Sequence, residues 1–314
     1  MKKGTFRDIV EKQSTLAILV LLVVLLSITT PSFRTVGNMV NILKEVSIIG
    51  IISCGMTLVV ISGCLDLSVG SAFSLLNVII ISLQQRSNVL AVTIPFIVAV
   101  LIGLFNGGII TAFDMNSIIV TLGSLSLIGG LALLYTNGAI IHGTSDTWFS
   151  VIGKNRAFGI PVHVLVFLFI ALSYQLLLNG TSLGRKIRYV GVNPEAARIA
   201  GIRTGKIRTV TFIISSLSVA VAAIIYSSRM VTGSPVTGVG YEFSAITALV
   251  VGGISLRGGS GSIFGTIIGV LILAVIVNAL TLYNVMFSYQ NIVKGFLIII
   301  AIIADIRARR EIEY

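Results

Sequence analysis

Few side chains in this sequence could do chemistry, and those few stand apart. Cys54 and Cys64 lack CxxC spacing and have no histidine near them, so neither a metal site nor a disulfide framework is indicated. Both read as small packing residues. No phosphate-binding Gly-x-x-x-x-Gly-Lys-Ser/Thr loop occurs: Lys154 and Lys206 follow glycines, but Asn155 and Ile207 come next. The chain therefore has no ATP site of the usual kind, and no catalytic residue, metal or cofactor is expected. Glu45, Asp66, Glu242 and Lys294 are the ionisable groups in or beside apolar runs. The first three stand at run ends, and Lys294 can snorkel. His142 and His163 read as interfacial residues. Ion-coupled transporters usually carry intramembrane acids, histidines or arginines. So quiet an interior suits a neutral, hydroxylated substrate. Asn77, Asn106 and Asn278 are polar residues inside apolar runs. Bonding to another helix, at about 0.6 kcal/mol each, is their routine fate. Lining a solute path is the sharper alternative.

The elements that must position these residues are membrane helices. Of 314 residues, 55% are hydrophobic and 11% charged, against roughly 25% charged in an average soluble domain. One soluble core could not hide so much apolar surface, whereas lipid solvates it. A span needs about 20 mainly apolar residues. About ten candidates are read, near 14–30, 44–63, 68–84, 89–113, 117–136, 160–178, 207–228, 242–256, 262–282 and 289–305. The second, fifth and eighth are weak in hydropathy, and Lys44 and Glu45 make the start of the second doubtful. The expected fold is an all-α polytopic bundle forming a single domain over residues 1–314.

The net charge of +11 sits outside the spans, so it is a topology signal rather than a nucleic-acid footprint. Lys2, Lys3, Arg7 and Lys12 precede the first span, which lacks a cleavage site. Arg185, Lys186, Arg188, Arg198, Arg203, Lys206 and Arg208 crowd the central loop, and Arg307, Arg309 and Arg310 close the chain. The positive-inside rule makes all three regions cytoplasmic. Six spans before the loop and four after it satisfy that parity. Trp148 and Phe149 then fall outside and suit the headgroup level. Gly103 with Gly107, and Gly261, Gly265 and Gly269, have the four-residue spacing that lets helices approach closely.

The loop 179–206 holds a short helix. Asn193 is a good N-cap, Pro194 fits the first helical position, and Glu195 adds negative charge to the first turn. Ala196, Ala197 and Ala200 propagate it, and Gly201 ends it. So short a helix cannot stand alone in water. Its alanine surface docks on the chain's own spans or in a partner's groove. Asp66 reads as an N-cap for the third span, with a hinge or cavity role as the alternative. Spans 2–5 and 7–10 have opposite orientation, which allows an inverted repeat. The echo of Gly70-Ser71-Ala72-Phe73 in Gly261-Ser262-Ile263-Phe264 joins spans of the same orientation and is read as chance.

Three stretches carry a resemblance. Asn193 to Gly201 (NPEAARIAG) looks like the EAA-x3-G coupling segment of ABC importer permeases. Gly63 to Gly70 (GCLDLSVG) and Val251 to Gly261 (VGGISLRGGSG) resemble two signatures of the ribose-type monosaccharide permeases. Asp66, Leu67, Ser68, Gly70, Gly252, Gly253, Gly258 and Gly259 match signature positions. The resemblance runs from about residue 31 to 305. The Ile-x-Leu-Pro continuation of maltose-type permeases is absent. Cys64-Leu65 stands where Gly-Ile is common and Ile254 where Thr is common, so the sugar stays open.

The resemblance implies the permease subunit of an ATP-driven importer in a bacterial inner membrane, working by alternating access. It implies a second permease subunit (homo- or heterodimer), a cytoplasmic ABC ATPase and a periplasmic or lipid-anchored sugar-binding protein. Asn193, Pro194, Glu195, Ala196, Ala197, Arg198 and Gly201 then form the coupling helix to the ATPase. The alanines would fill an apolar groove, with Arg198 on its rim. An ion-coupled secondary transporter of a small neutral solute is the alternative. A non-transporting scaffold is a third class, which the signatures argue against.

Overall fold

Isoleucine, valine and small residues occupy every side of a helix over residues 46–61, and every residue from Val46 to Ile61 is buried. A helix apolar all round belongs at the centre of a bundle. That helix, α2 (Val36–Ile61), is the axis of the computed structural model, which describes residues 3–145, 147–157 and 159–310. Of the charges used for orientation, Lys2 lies outside the described residues, as do the side chains of Lys3, Arg7, Lys12, Arg307, Arg309 and Arg310.

Before α2 come α1 (Lys3–Thr29) and a 3₁₀ turn at Pro31–Arg34. After it come α3 (Val69–Gln84), α4 (Asn88–Ala112) and α5 (Ser117–Thr136). A connecting region holds β1 (Ile141–His142), α6 (Trp148–Lys154), β2 (Arg156–Ala157) and β3 (Ile160–Pro161). Next are α7 (Val162–Gly180), α8 (Ser182–Val192) and α9 (Pro194–Ile199). The chain continues through α10 (Thr204–Met230), β4 (Thr232–Gly233), α11 (Tyr241–Val251), α12 (Ile263–Leu282) and α13 (Phe287–Arg310). The strands form two antiparallel pairs, β1 with β4 and β2 with β3.

The protein is an all-α, multi-pass membrane bundle. Among the described residues, α2, α4, α5, α7, α10 and α12 are long and apolar enough to cross a membrane. The apolar stretches Thr15–Thr29, Val69–Gln84 and Tyr241–Val251 are shorter. Helix α2 starts at Val36, well before the expected start near residue 44. Thr35 caps it by accepting the Asn38 amide at 3.3 Å. Lys44 and Glu45 therefore lie inside a helix, not at its edge. Phe149 also departs from expectation. It is buried, on an α6 that packs against α10, while Trp148 is exposed.

Long, short, long, long is the helix order in α2–α5 and again in α10–α13. The two sets exchange partners. Helices α2 and α10 pack together; α3 and α4 lie on α10, whereas α11 and α12 lie on α2. Helix α5 lies on α3, and α13 on α11. Helix α2 ends, and α10 begins, at the end of the bundle carrying α8 and α9. This is the arrangement of an inverted four-helix repeat. Gly70 lies on α3 and Gly261 just before α12, which are not equivalent places.

Small residues allow the tightest of these packings. A side chain at Gly103 or Gly107 would meet backbone of α10 at Ile213 and Thr209. Gly265 and Gly269 likewise touch the backbone of Ala248 and Gly252. In lipid such close backbone approach holds helices together, because burial of apolar surface gives no net gain there.

Candidate functional site

Each short helix follows a break. The first break, residues 62–68, joins α2 to α3. Asp66 is buried here, and its Oδ1 accepts the Ser68 amide at 3.0 Å and the Ser68 hydroxyl at 2.6 Å. Helix α3 starts at Val69, with Ser68 in the N-cap place. Asp66 therefore braces the turn before the helix rather than capping its first free amides. The network continues sideways. Asn106 Nδ2 donates to Ser68 Oγ at 2.8 Å, and the Ser124 hydroxyl donates to Asn106 Oδ1. The Leu65 amide donates to Ser117 Oγ at 3.0 Å. Helix α4 is thus bonded to the break through buried Asn106, and α5 through buried Ser124 and half-buried Ser117. Satisfied networks of this kind are rigid, because each loss would strand a buried partner.

The second break, residues 231–240, joins α10 to α11. Asn77 of α3 grips it: Nδ2 donates to Ser227 Oγ at 2.8 Å and to the Thr232 carbonyl at 3.1 Å, and Oδ1 accepts the Ser234 amide at 2.9 Å. The Gly238 amide donates to Ser74 Oγ at 2.8 Å. Gly70 and Gly238 touch backbone to backbone, and the Glu242 carboxylate lies against Gly70. A Cβ on either glycine would fill that contact. Glu242 Oε1 accepts the Gly240 amide at 3.1 Å, while its buried Oε2 has no partner among the described residues.

The two signature stretches meet a third element at the α8–α9 end. The Gly259 amide donates to the Ile61 carbonyl at 2.8 Å. Gly258, at φ 92°, brings its Cα so close to Gly63 that a Cβ would lie 2.7 Å from the Gly63 Cα and 3.1 Å from the Gly191 carbonyl. A side chain on Gly191 would collide with the Ile61 carbonyl and the Gly259 amide. Arg188 Nη1 ties α8 to the same loop through the Gly261 carbonyl at 3.0 Å. Gly252 packs on Gly265 at the end of α11. Leu67 is half-buried beside this node, and Gly253 turns the chain at φ 78°.

Helix α9 sits next to it. Asn193 Oδ1 accepts the Ala196 amide at 3.0 Å, and Gly201 takes φ 80° just past the helix. Pro194 occupies the first helical position. Arg198 Nη2 pairs with Glu195 Oε1 at 2.6 Å on the solvent side. That hydrogen bond and charge hold the Glu195 carboxyl below its ordinary range. The alanines divide. Ala197 is buried in this chain, whereas Ala196 and Ala200 are exposed. Ile199, 80% exposed, and Val192, 72% exposed, add the apolar surface that the alanine pattern did not single out.

Of the three candidate path residues, Asn77 and Asn106 are spent on the breaks. Asn278 exchanges amide bonds of 2.8 and 2.9 Å with Asn38 of α2. Cys54 and Cys64 are buried thiols. A cavity of about 520 Å³ lies elsewhere, at the opposite end from α8 and α9. Asn41, Lys44, Glu45, Tyr226, Arg229 and Tyr241 line it. The sequence alone marks Glu45 only as a residue at a span edge. The signal it lacked was the early start of α2, which turns Lys44 and Glu45 into a helix face.

Comparison with known proteins agrees with the signatures. Residues 38–302 match the family model described as "Branched-chain amino acid transport system / permease component". The ribose import permease protein RbsC of Haemophilus influenzae is 36% identical over 304 residues, covering 95% of this chain and 94% of the relative. RbsC of Bacillus subtilis is also 36% identical, covering 97% and 95%. The L-arabinose transport system permease protein AraH of Escherichia coli is 34% identical, covering 96% and 92%. No solved structure matches the chain.

Proposed function

The chain belongs to the transport-system permease-component family, and from that premise we propose that it is the membrane subunit of an ATP-driven monosaccharide importer. It is not an enzyme; ATP hydrolysis belongs to a separate cytoplasmic ATPase. A sugar-binding protein, periplasmic or lipid-anchored, delivers the solute. Two permease subunits, identical or different, form the pore in a bacterial inner membrane. Ten helices cross it: α1–α5, α7 and α10–α13, with both termini cytoplasmic. The α8–α9 end is then cytoplasmic, and the 520 Å³ cavity faces outward. The whole chain, residues 1–314, is one permease domain, with 179–206 as its coupling loop.

The observation that carries this reading is the meeting of both signature loops with α8 at Gly191, one turn from α9. A helix that docks on an ATPase sits where the two broken helix pairs are tied. Alternating access needs ATP to favour one global arrangement over another, and differential docking of α9 supplies that bias. Asn193, Pro194, Glu195 and Gly201 shape the helix, and Ala197 seats it on its own bundle. Ala196, Ile199 and Ala200 face the ATPase groove, with Arg198 on the rim. Asp66, Leu67, Ser68, Gly70, Gly252, Gly253, Gly258 and Gly259 hold the joints. Asn77 and Asn106 act on the path by holding the breaks that border it; Asn278 belongs to the α2–α12 contact.

ATP hydrolysis by the purified complex tests this. Sugar-loaded binding protein is expected to stimulate hydrolysis when this chain joins the ATPase in lipid. No stimulation, in a complex that assembles, overturns the reading.

A further inference from the structure

The outward cavity has the chemistry of a ligand site. Its walls come from the first turns of α2, the last turns of α10 and the first residue of α11. Its volume falls within the range of small-molecule sites, about 300–1,000 Å³. Ile48 and Ile49 give it an apolar floor. Tyr226 and Tyr241 add two aromatic rings to the lining, and both pack against one residue. Phe73 of α3, fully buried, meets Tyr226 edge-on at 5.5 Å between centroids and Tyr241 at 4.9 Å.

The polar groups around these rings are of both hydrogen-bonding senses. Glu45 accepts, Lys44 and Arg229 donate, and Asn41 does both. Among the described residues no carboxylate pairs with Lys44 or Arg229. Lys44 Nζ reaches only Asn41 Oδ1, at 3.2 Å, and the Arg229 guanidinium lies 5.7 Å from the Tyr226 ring centre. Half-buried charged groups in this state retain most of their hydrogen-bonding capacity for a ligand.

The geometry points to this cavity as a binding station for a small, neutral, polyhydroxylated solute. Tyr226 and Tyr241 lie against its apolar ring face, and Asn41, Lys44, Glu45 and Arg229 bond its hydroxyls. A sugar ring presents that pair of surfaces: C–H faces above and below, donors and acceptors round the rim. Both signs of charge in one wall suit hydroxyls, which donate and accept, better than an anion or a cation. Phe73 is a positioning residue, acting through the two tyrosines. The assignment rests on the importer reading for its biological meaning, though binding itself can be measured without the partners.

The test is binding of tritiated D-ribose and L-arabinose to the full-length chain in lipid nanodiscs. At least one is expected to bind, and Glu45→Gln and Arg229→Gln are each expected to weaken it about tenfold, the scale of one charged hydrogen bond. Tyr241→Phe, which keeps the ring, should weaken it less than Tyr241→Leu. Binding of neither sugar, equal binding by the charge variants, or cyclopentanol competing as well as the sugars overturns the station. Tighter binding of D-glucuronate than of either sugar overturns the neutral class. Sugar binding without ATP-driven uptake in the complete complex leaves the station standing and removes the importer reading. Uptake that the charge variants leave unchanged does the opposite.

Discussion

The two breaks occupy equivalent places in the inverted repeat, yet they are built differently. At 62–68, Asp66 Oδ1 accepts both the amide and the hydroxyl of Ser68, and Asn106 and Ser124 extend the bonding to two further helices. Backbone from Gly63, Gly191 and Gly258 then locks that break to the α8 end of the bundle. At 231–240, Asn77 and Ser74 hold the strand-like segment, but Glu242 keeps an unpartnered oxygen, and Gly240 turns at φ 88° with nothing within 4 Å of a Cβ. That break opens towards the cavity through Tyr241. One topological device is therefore a fixed joint at the α8–α9 end and a looser lining beside the cavity.

The comparison is broken most severely at the fixed joint. Gly191→Val is expected to cost about 3 kcal/mol or more, since overpacking against backbone cannot be relieved by side-chain movement. Thermal unfolding in detergent should show a large drop. Gly240→Ala, strained by φ alone, should cost only about 1–2 kcal/mol. Equal losses at the two glycines would erase the distinction.

Asp66→Ala comes next. It strands the Ser68 amide and hydroxyl in a buried site, at about 1–3 kcal/mol. Asp66→Asn retains an acceptor, so it should fold nearly as wild type. If that stable variant no longer transports, the negative charge has a role beyond bracing the turn. Glu242→Gln keeps an acceptor for the Gly240 amide, so its melting temperature should stay close to that of the wild type.

Ile199→Glu leaves the bundle untouched, because the side chain is already in solvent. It is expected to preserve the melting temperature while reducing ATPase copurification at least tenfold. Ala197→Glu, in contrast, should lower both, since Ala197 is buried in this chain. The smallest effect falls outside both breaks: Asn278→Ala should cost about 0.6 kcal/mol, the average worth of an interhelical polar bond in a membrane protein.

These contrasts mark what was legible in the sequence. Local chemistry was. Asn193, Pro194, Glu195 and Gly201 act within one short helix and its two ends, and each takes the place its residue type favours. The polar character of Asn77, Asn106 and Asn278 was also plain, as was their routine fate of bonding other helices. What was not legible depends on residues far apart. Gly191 matches no signature, and its need for glycine comes from Ile61 and Gly259. The alanines of α9 look alike until the bundle buries Ala197 and exposes Ala196 and Ala200. Asp66 before an apolar run reads as a cap, but the chain turns once more before the helix begins. Lys44 and Glu45 weaken the hydropathy of α2, which hid the early helix start that aims them at a cavity.

Uptake of labelled sugar into proteoliposomes tests the central claim most directly. Accumulation is predicted when this chain, its ATPase, ATP and the loaded binding protein are all present, and background counts when any one is withheld. Accumulation by this chain alone, driven by a proton or sodium gradient, would contradict the account.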